Sequence, residues 1–363
     1  MNIYIPLGIA LVLICFFCKN NAKASVRAFI ISMIILAVLG SVRYQMGTDY
    51  SNYLATFETL GEYGFDNFFY FVASRAEPLF IFIMSLFHSF FLFIIVLTII
   101  WYVLVTYILC KHVPANYLWL ALFSLLFIQS NIIQNYAAIR SSVACCFIFV
   151  AIEFLLKGKR IVAASFIIAA TFCHYSSSLL LALLFFYSLS DSIMLKVLKI
   201  SAICSIPLFL ISPYITDLIG NSIVGHISSF ERYEDYIKMY NDRELSIGSL
   251  LYSILAFIPA FMMYQTIQEG RGKQYTFIVS VAILALFLYI IMGGLMIRYS
   301  MYLGPTIIVA VTNSLSKMNK DKKMLLLTCF IIYNIYDFVV LQSARWFSSF
   351  LTYKTIFEAP GWM

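Results

Sequence analysis

The chain has 363 residues, of which 63% are hydrophobic and only 11% charged, against roughly a quarter charged in water-soluble domains. So few charges cannot cover a soluble surface, which excludes an ordinary soluble enzyme. The net charge of +7 does not point to nucleic acid either, because the Lys and Arg residues sit singly or in short groups between apolar runs, where they act as topology signals.

The first apolar run, Ile3 to Cys18, has no basic stretch before it and no small-residue cleavage site after it, so it reads as a retained helix rather than a signal peptide. All eight cysteines fall in or beside apolar runs. They read as small core hydrophobes, with neither a disulfide framework nor a zinc site, and the Cys15-x-x-Cys18 spacing has no second pair to support a redox role.

After a second run at about 27–42 comes Arg43-Tyr-Gln-Met-Gly-Thr-Asp-Tyr-Ser-Asn-Tyr53. Gly47 permits a turn that brings Arg43 and Asp49 toward one interface. An interfacial anchor of arginine and tyrosines is the plainer reading. Glu77-Pro78 follows, where proline suits a first helical turn and a carboxylate faces the positive end of the helix dipole. Simple capping would explain it equally.

The stretch from Glu77 to Cys110 is too long for one crossing and tight for two. A single crossing, preceded by a re-entrant or interfacial helix near 78–88, puts every lysine-rich connection on one side of the membrane. With that choice fifteen of the 24 basic residues are cytoplasmic and twelve of those are Lys, whereas seven of the nine outside are Arg. Topology alone does not ask for arginine. Its planar fork binds phosphate or carboxylate at two points, which lysine cannot do.

Runs at about 115–131 and 136–156 follow, the second carrying Arg140 about one turn in. An arginine at the helix centre costs about 2.5 to 3.5 kcal/mol on insertion scales, so it either faces a wet cavity or an anion, or snorkels to the surface. His174 lies at the outer junction of runs 161–173 and 176–190, as a base, a proton carrier or a structural histidine. Runs at 198–217, 248–267, 275–293, 298–315 and 323–341 complete the chain. The loop between the first two holds Glu231 to Tyr240, an amphipathic helix on the membrane surface or a solvated loop. Arg298 opens the run 298–315, where it too can be an anchor.

The fold class is therefore all-α: a polytopic integral membrane helical bundle of about twelve transmembrane helices. It forms a single transmembrane domain over 1–363, with outer loops 43–76 and 219–247. Arg43, Arg140 and Arg298 come from distant segments to the same face at similar depth. One anionic site accounts for them better than three separate anchors.

The order of pieces resembles the EpsG/Wzy group of bacterial polysaccharide polymerases. They are Arg43-x3-Gly47-x-Asp49-Tyr50-x2-Tyr53, then Glu77-Pro78, Arg140-x3-Ala144, His174-Tyr175-Ser176 and Arg298-x3-Tyr302. The resemblance implies a metal-independent glycosyltransferase without cofactors in the bacterial inner membrane, its site facing the periplasm or outside, in an architecture compatible with the GT-C-like class. It would join oligosaccharide repeat units carried on undecaprenyl pyrophosphate, with membrane lipid around it and a chain-length regulator protein as a partner. Arg43, Arg140 and Arg298, with Tyr50, Tyr53 and Tyr302, would hold the pyrophosphate, and Asp49, Glu77 or His174 would take the proton of the acceptor hydroxyl. A flippase for the same lipid-linked sugar would need ionisable groups along a path through the bilayer, and the runs hold only Glu153, Asp217 and Asp337 near their ends. An O-antigen ligase differs only in its acceptor. A membrane acyltransferase would rest on His174 alone.

Overall fold

A computed structural model describes residues 4–47, 49–73, 77–128, 131–219, 247–267, 272–292, 297–343 and 354–358. Among them the chain is helical almost throughout. Two compact units form, Met1–Ser188 with Asp337–Met363, and Leu189–Tyr336.

The first unit contains α1 (Tyr4–Phe17), α2 (Ala22–Ser41), α3 (Tyr50–Ala73), α4 (Pro78–Ser85), α5 (Phe90–His112), α6 (Leu118–Phe127), α7 (Ile132–Ala137), α8 (Ile139–Leu156), α9 (Arg160–Cys173) and α10 (Ala182–Ser188). Their ends follow from local chemistry. The Asn21 side chain accepts the Ala24 amide at 3.1 Å and starts α2. Lys111 and His112 close α5, where positive charge complements the helix dipole. After α8 the chain reverses through Gly158 at φ +74. The Gly158 and Lys159 amides reach back to the Leu155 and Phe154 carbonyls at 2.8 and 2.9 Å, a Schellman turn that a side chain at the left-handed position would strain.

Among the described residues four helices are long and apolar enough to cross a membrane: Ala22–Ser41, Phe90–His112, Ile139–Leu156 and Leu250–Ile267. Five more are apolar but shorter. The protein is thus membrane-integral and helical, with helices of unequal length where the apolar runs suggested about twelve similar spans. α8 is the central helix of its unit, 78% of its apolar window being buried against 44% for α2 and α5. The outer faces of α2 and α5 carry Ile30, Ile31, Ile34, Val38, Ile99, Ile100 and Val103 in the open, a surface suited to hydrocarbon.

The Glu77 to Cys110 stretch forms the short α4 and the long α5. Eight residues span only about 12 Å at the helical rise, too little for a crossing. Phe80 of α4 packs on Tyr53 and Phe93, while Phe90 at the start of α5 packs on Tyr50. Both helices therefore begin on the same aromatic bed beside α3.

At the opposite end of α5, Lys111 and His112 both engage the Glu153 carboxylate near the last turn of α8. This ties the two C-terminal ends together beside Lys157, Lys159 and Arg160. Arg43, Arg140 and His174 lie at the other ends of α2, α8 and α9, so the lysine-rich connections of this unit and its candidate site residues occupy opposite ends.

The second unit contains α11 (Asp191–Ile219), α12 (Ile247–Ile267), α13 (Lys273–Met292), α14 (Ile297–Lys317) and most of α15 (Lys320–Ser343). α13 packs against α11, α12 and α14. Thr266, Tyr275 and Ser314 share a hydroxyl cluster with separations of 2.7 to 3.3 Å, which satisfies polar groups that hydrocarbon would leave stranded. The outer loop 219–247, apart from the ends of the flanking helices, lies outside the described residues.

Candidate active site

Glu77 sits at the N-cap of α4 with Pro78 in the first turn, but its side chain makes no capping hydrogen bond. The carboxylate turns away instead. Its Oε2 accepts Arg140 Nη1 at 2.6 Å, and its Oε1 lies 3.0 Å from His174 Nδ1. Arg140 Nε donates to Tyr53 Oη at 2.9 Å, and the guanidinium lies 5.6 Å from the centre of the Tyr53 ring. Residues from α3, the α3–α4 junction, α8 and the end of α9 thus meet in one network.

The chain makes this meeting through a helix break. The apolar run 136–156 contains no proline or glycine, yet the helix is interrupted at Ala138, between α7 and α8. Ser142 Oγ bonds the Asn135 carbonyl at 2.6 Å and so supplies a partner at the break. Arg140 becomes the second residue of α8, at its mouth rather than a turn inside it. At that position the guanidinium is held by protein groups on one edge, while the side chain as a whole stays 38% exposed, against 6% for Glu77. Among the described residues its Nη2 donates to no protein group, which leaves an oriented, partly solvated donor edge.

Glu77 lies outside the candidate spans. Burial works to raise its carboxyl pKa, but the His174 hydrogen bond and the Arg140 charge outweigh it and hold the group below the ordinary carboxylate range. It is an ionised partner, poorly suited to accept a further proton. Burial likewise pushes the Tyr53 phenol up despite Arg140, so Tyr53 is a neutral hydroxyl. His174 is buried at the junction of α9 and a 3-10 turn, Tyr175–Leu181. Its Nδ1 faces the Glu77 carboxylate, which fixes the orientation of the ring.

Arg43 has a different environment. It is 1% exposed. Its Nη1 donates to Thr98 Oγ1 at 2.7 Å and to the Gly40 carbonyl, and its guanidinium lies 4.5 Å from the centre of the Tyr136 ring. The Tyr136 and Tyr102 hydroxyls are 2.5 Å apart. Arg43 therefore fastens α2, α5 and α7 together, and a surface anchor does not describe it. The expected joint clamp is not what surrounds it: its charge is enclosed by protein, whereas that of Arg140 reaches solvent. Arg298 and Tyr302 belong to the second unit. Tyr302 is fully buried on α14, and the Arg298 side chain lies outside the described residues.

Gly47 has φ +100, and a Cβ there would stand 2.7 Å from Ala137 Cα, at the helix break. The close approach seats the loop on α7 and leads into α3, where Tyr50 is buried among Tyr44 and Phe90. Asp49 is half-buried one turn before Tyr53, whose amide bonds the Asp49 carbonyl at 3.1 Å. Replacing Gly47 by alanine should cost about 1 to 3 kcal/mol from backbone strain and steric conflict, measured as a lower melting temperature in detergent and less protein in membranes.

Sequence reasoning missed Thr98, Tyr102 and Tyr136 around Arg43, since a buried arginine's partners need not show any spacing signal. Tyr136 alone could have been suspected, four residues before Arg140.

The model of the EpsG family matches residues 26–355, nearly the whole chain and all the network just described. The chain belongs to the EpsG family. Membership points to a polysaccharide polymerase-like role in the membrane. No curated protein and no solved structure matches the chain.

Proposed function

We propose that this EpsG-family protein is a polymerase of lipid-linked oligosaccharides, acting at the end of the first unit where Glu77, Arg140 and His174 meet. One observation carries the reading: a guanidinium fixed by Glu77 and Tyr53 on one side and partly exposed on the other. Glu77 offsets much of the Arg140 charge, so donor geometry rather than net charge is what the site offers to phosphate.

In the proposed reaction the acceptor hydroxyl, on a sugar at the non-reducing end of one lipid-linked unit, attacks the anomeric carbon of another. The new C–O bond forms as the bond from that carbon to the pyrophosphate oxygen breaks. Undecaprenyl pyrophosphate departs with the electron pair, and Arg140 stabilises the charge that develops on it. His174, oriented by Glu77, is the first candidate to take the hydroxyl proton. Asp49 is the second candidate for that proton, because it is half-buried one turn before Tyr53. Arg43 and Tyr50 position the loop, and Tyr53 positions Arg140. The reading places this end at the outer face of the bacterial inner membrane, following the lysine bias.

Surface polysaccharide from cells with and without the gene tests the reading. Loss of long polymer with accumulation of single lipid-linked units, or of single units on a core, is the expected profile. A core with no repeat at all would point to ligation or flipping instead.

A further inference from the structure

The segment 354–358 comes from the far end of the sequence, yet it pairs with the loop that opens at Arg43. The short strands β1 (Arg43–Tyr44) and β2 (Lys354–Thr355) run antiparallel, with Arg43 opposite Thr355 and Tyr44 opposite Lys354. The Ile356 amide donates to the Val42 carbonyl at 2.9 Å. The Ile356 side chain is buried, 3% exposed, in a unit whose neighbouring Lys354, Phe357 and Glu358 are exposed. Glu358 Oε1 accepts both the Thr355 amide at 3.0 Å and its hydroxyl at 3.1 Å, closing the turn. The family match ends at residue 355, so Ile356 and Glu358 lie beyond it.

Two residues of strand are too little to persist alone in water. Pairing here is held by the buried Ile356 and by the turn that Glu358 closes. What it holds is the backbone at Val42 to Tyr44. From that point the Arg43 side chain runs to Thr98, Gly47 seats on Ala137, and α3 brings Tyr53 to Arg140.

We propose that the 354–358 segment is a strap that sets the position of the Arg43 to Tyr53 loop, with Ile356 as its positioning residue. The strap touches none of the groups of the Glu77 network directly. It acts by fixing the register of the loop that delivers Tyr53 to Arg140. This assignment rests on the polymerase reading for its consequence in cells, but not for its structural half.

The test uses the full-length protein carrying Ile356→Asp, which puts a charge at the buried anchor, Ile356→Val, which keeps the anchor, and Glu358→Ala, which opens only the turn. Hydrogen exchange is followed in detergent across residues 42–53, with α5 amides at 94–105 as an internal standard. Chain length of surface polymer is measured in complemented deletion cells at matched membrane protein levels. Ile356→Asp is expected to speed exchange in 42–53 about tenfold or more while leaving 94–105 unchanged, and to shorten the polymer. Glu358→Ala should do both to a smaller degree, and Ile356→Val should restore both. Glu358→Ala carries the test if Ile356→Asp fails to accumulate. Unchanged exchange in 42–53 with either variant overturns the strap, whatever the polymer shows. Faster exchange with normal polymer also overturns it, since the loop position then does not matter for chain growth. Normal polymer with Arg140→Lys would instead remove the polymerase assignment of the site, and the exchange result would stand apart from it.

Discussion

Replacing Arg140 by lysine should lower polymer formation about 10- to 100-fold while the protein still accumulates in the membrane. The estimate follows from hydrogen bonds to charged groups, worth about 1.5 to 3 kcal/mol each, at about 1.4 kcal/mol per tenfold in rate. Arg140 reaches Tyr53 through Nε and Glu77 through Nη1, and still turns a further edge outward. Lysine keeps the positive charge but is a single point. It can satisfy Glu77, or reach outward, and not hold both in a fixed plane. Tyr53→Phe removes only the Nε acceptor and should cost about tenfold, the lower end of that range, because the outward edge of the guanidinium is kept. The chain-length profile, read beside an immunoblot of a tagged protein, checks both. A wild-type profile from Arg140→Lys would remove the guanidinium from the mechanism.

Replacing Glu77 by glutamine should abolish long polymer and also lower stability, because the amide cannot serve both neighbours. One amide oxygen can accept from Arg140 or from His174, and the other partner then meets an N–H. Breaking a buried ion pair by removing one partner costs about 3 to 5 kcal/mol. Here the loss should be smaller, about 1 to 3 kcal/mol, because Arg140 is partly exposed and can recover water. The pH dependence has a definite sign. Glu77 titrates below the ordinary carboxylate value, so its stabilising contribution is full above about pH 5 and is lost as pH falls through the lowered value. Melting temperatures of wild type and Glu77→Gln should therefore differ most near neutral pH and converge in acid. A gap that stays constant from pH 7 to about pH 3 would contradict the ionised pair.

Much of this site was legible before any coordinates. Glu77-Pro78, Arg140 and His174 were each ambiguous alone, and the expected convergence was of Arg43, Arg140 and Arg298; the structure instead joins Arg140 to Glu77 and His174 and encloses Arg43 among other partners. Helix capping for Glu77 and snorkelling for Arg140 lose their force because each side chain has the other as its partner. The division of Glu77 to Cys110 into one short and one long helix was also expected, and the structure has Pro78–Ser85 followed by Phe90–His112.

Other features had no local signal. The fate of Arg43 depends on Thr98 and Tyr136, which are distant in sequence and belong to other helices. A buried arginine and a surface arginine look alike in one chain. The break at Ala138 carries no proline or glycine, and Ser142 reveals its purpose only once the Asn135 carbonyl is in view. The β1–β2 pairing is too short for any alternation of residue types to announce it. Glu153 looked like a stray carboxylate near a span end until Lys111 and His112 were found beside it.

The most direct test of the proposed chemistry uses purified protein in vesicles with a defined undecaprenyl-pyrophosphate-linked repeat unit. The account predicts dimers and longer oligosaccharides on one carrier, with one undecaprenyl pyrophosphate released for each linkage, and loss of both with Arg140→Lys. Movement of the intact lipid-linked unit across the vesicle membrane, with no new linkage and no released carrier, would contradict it.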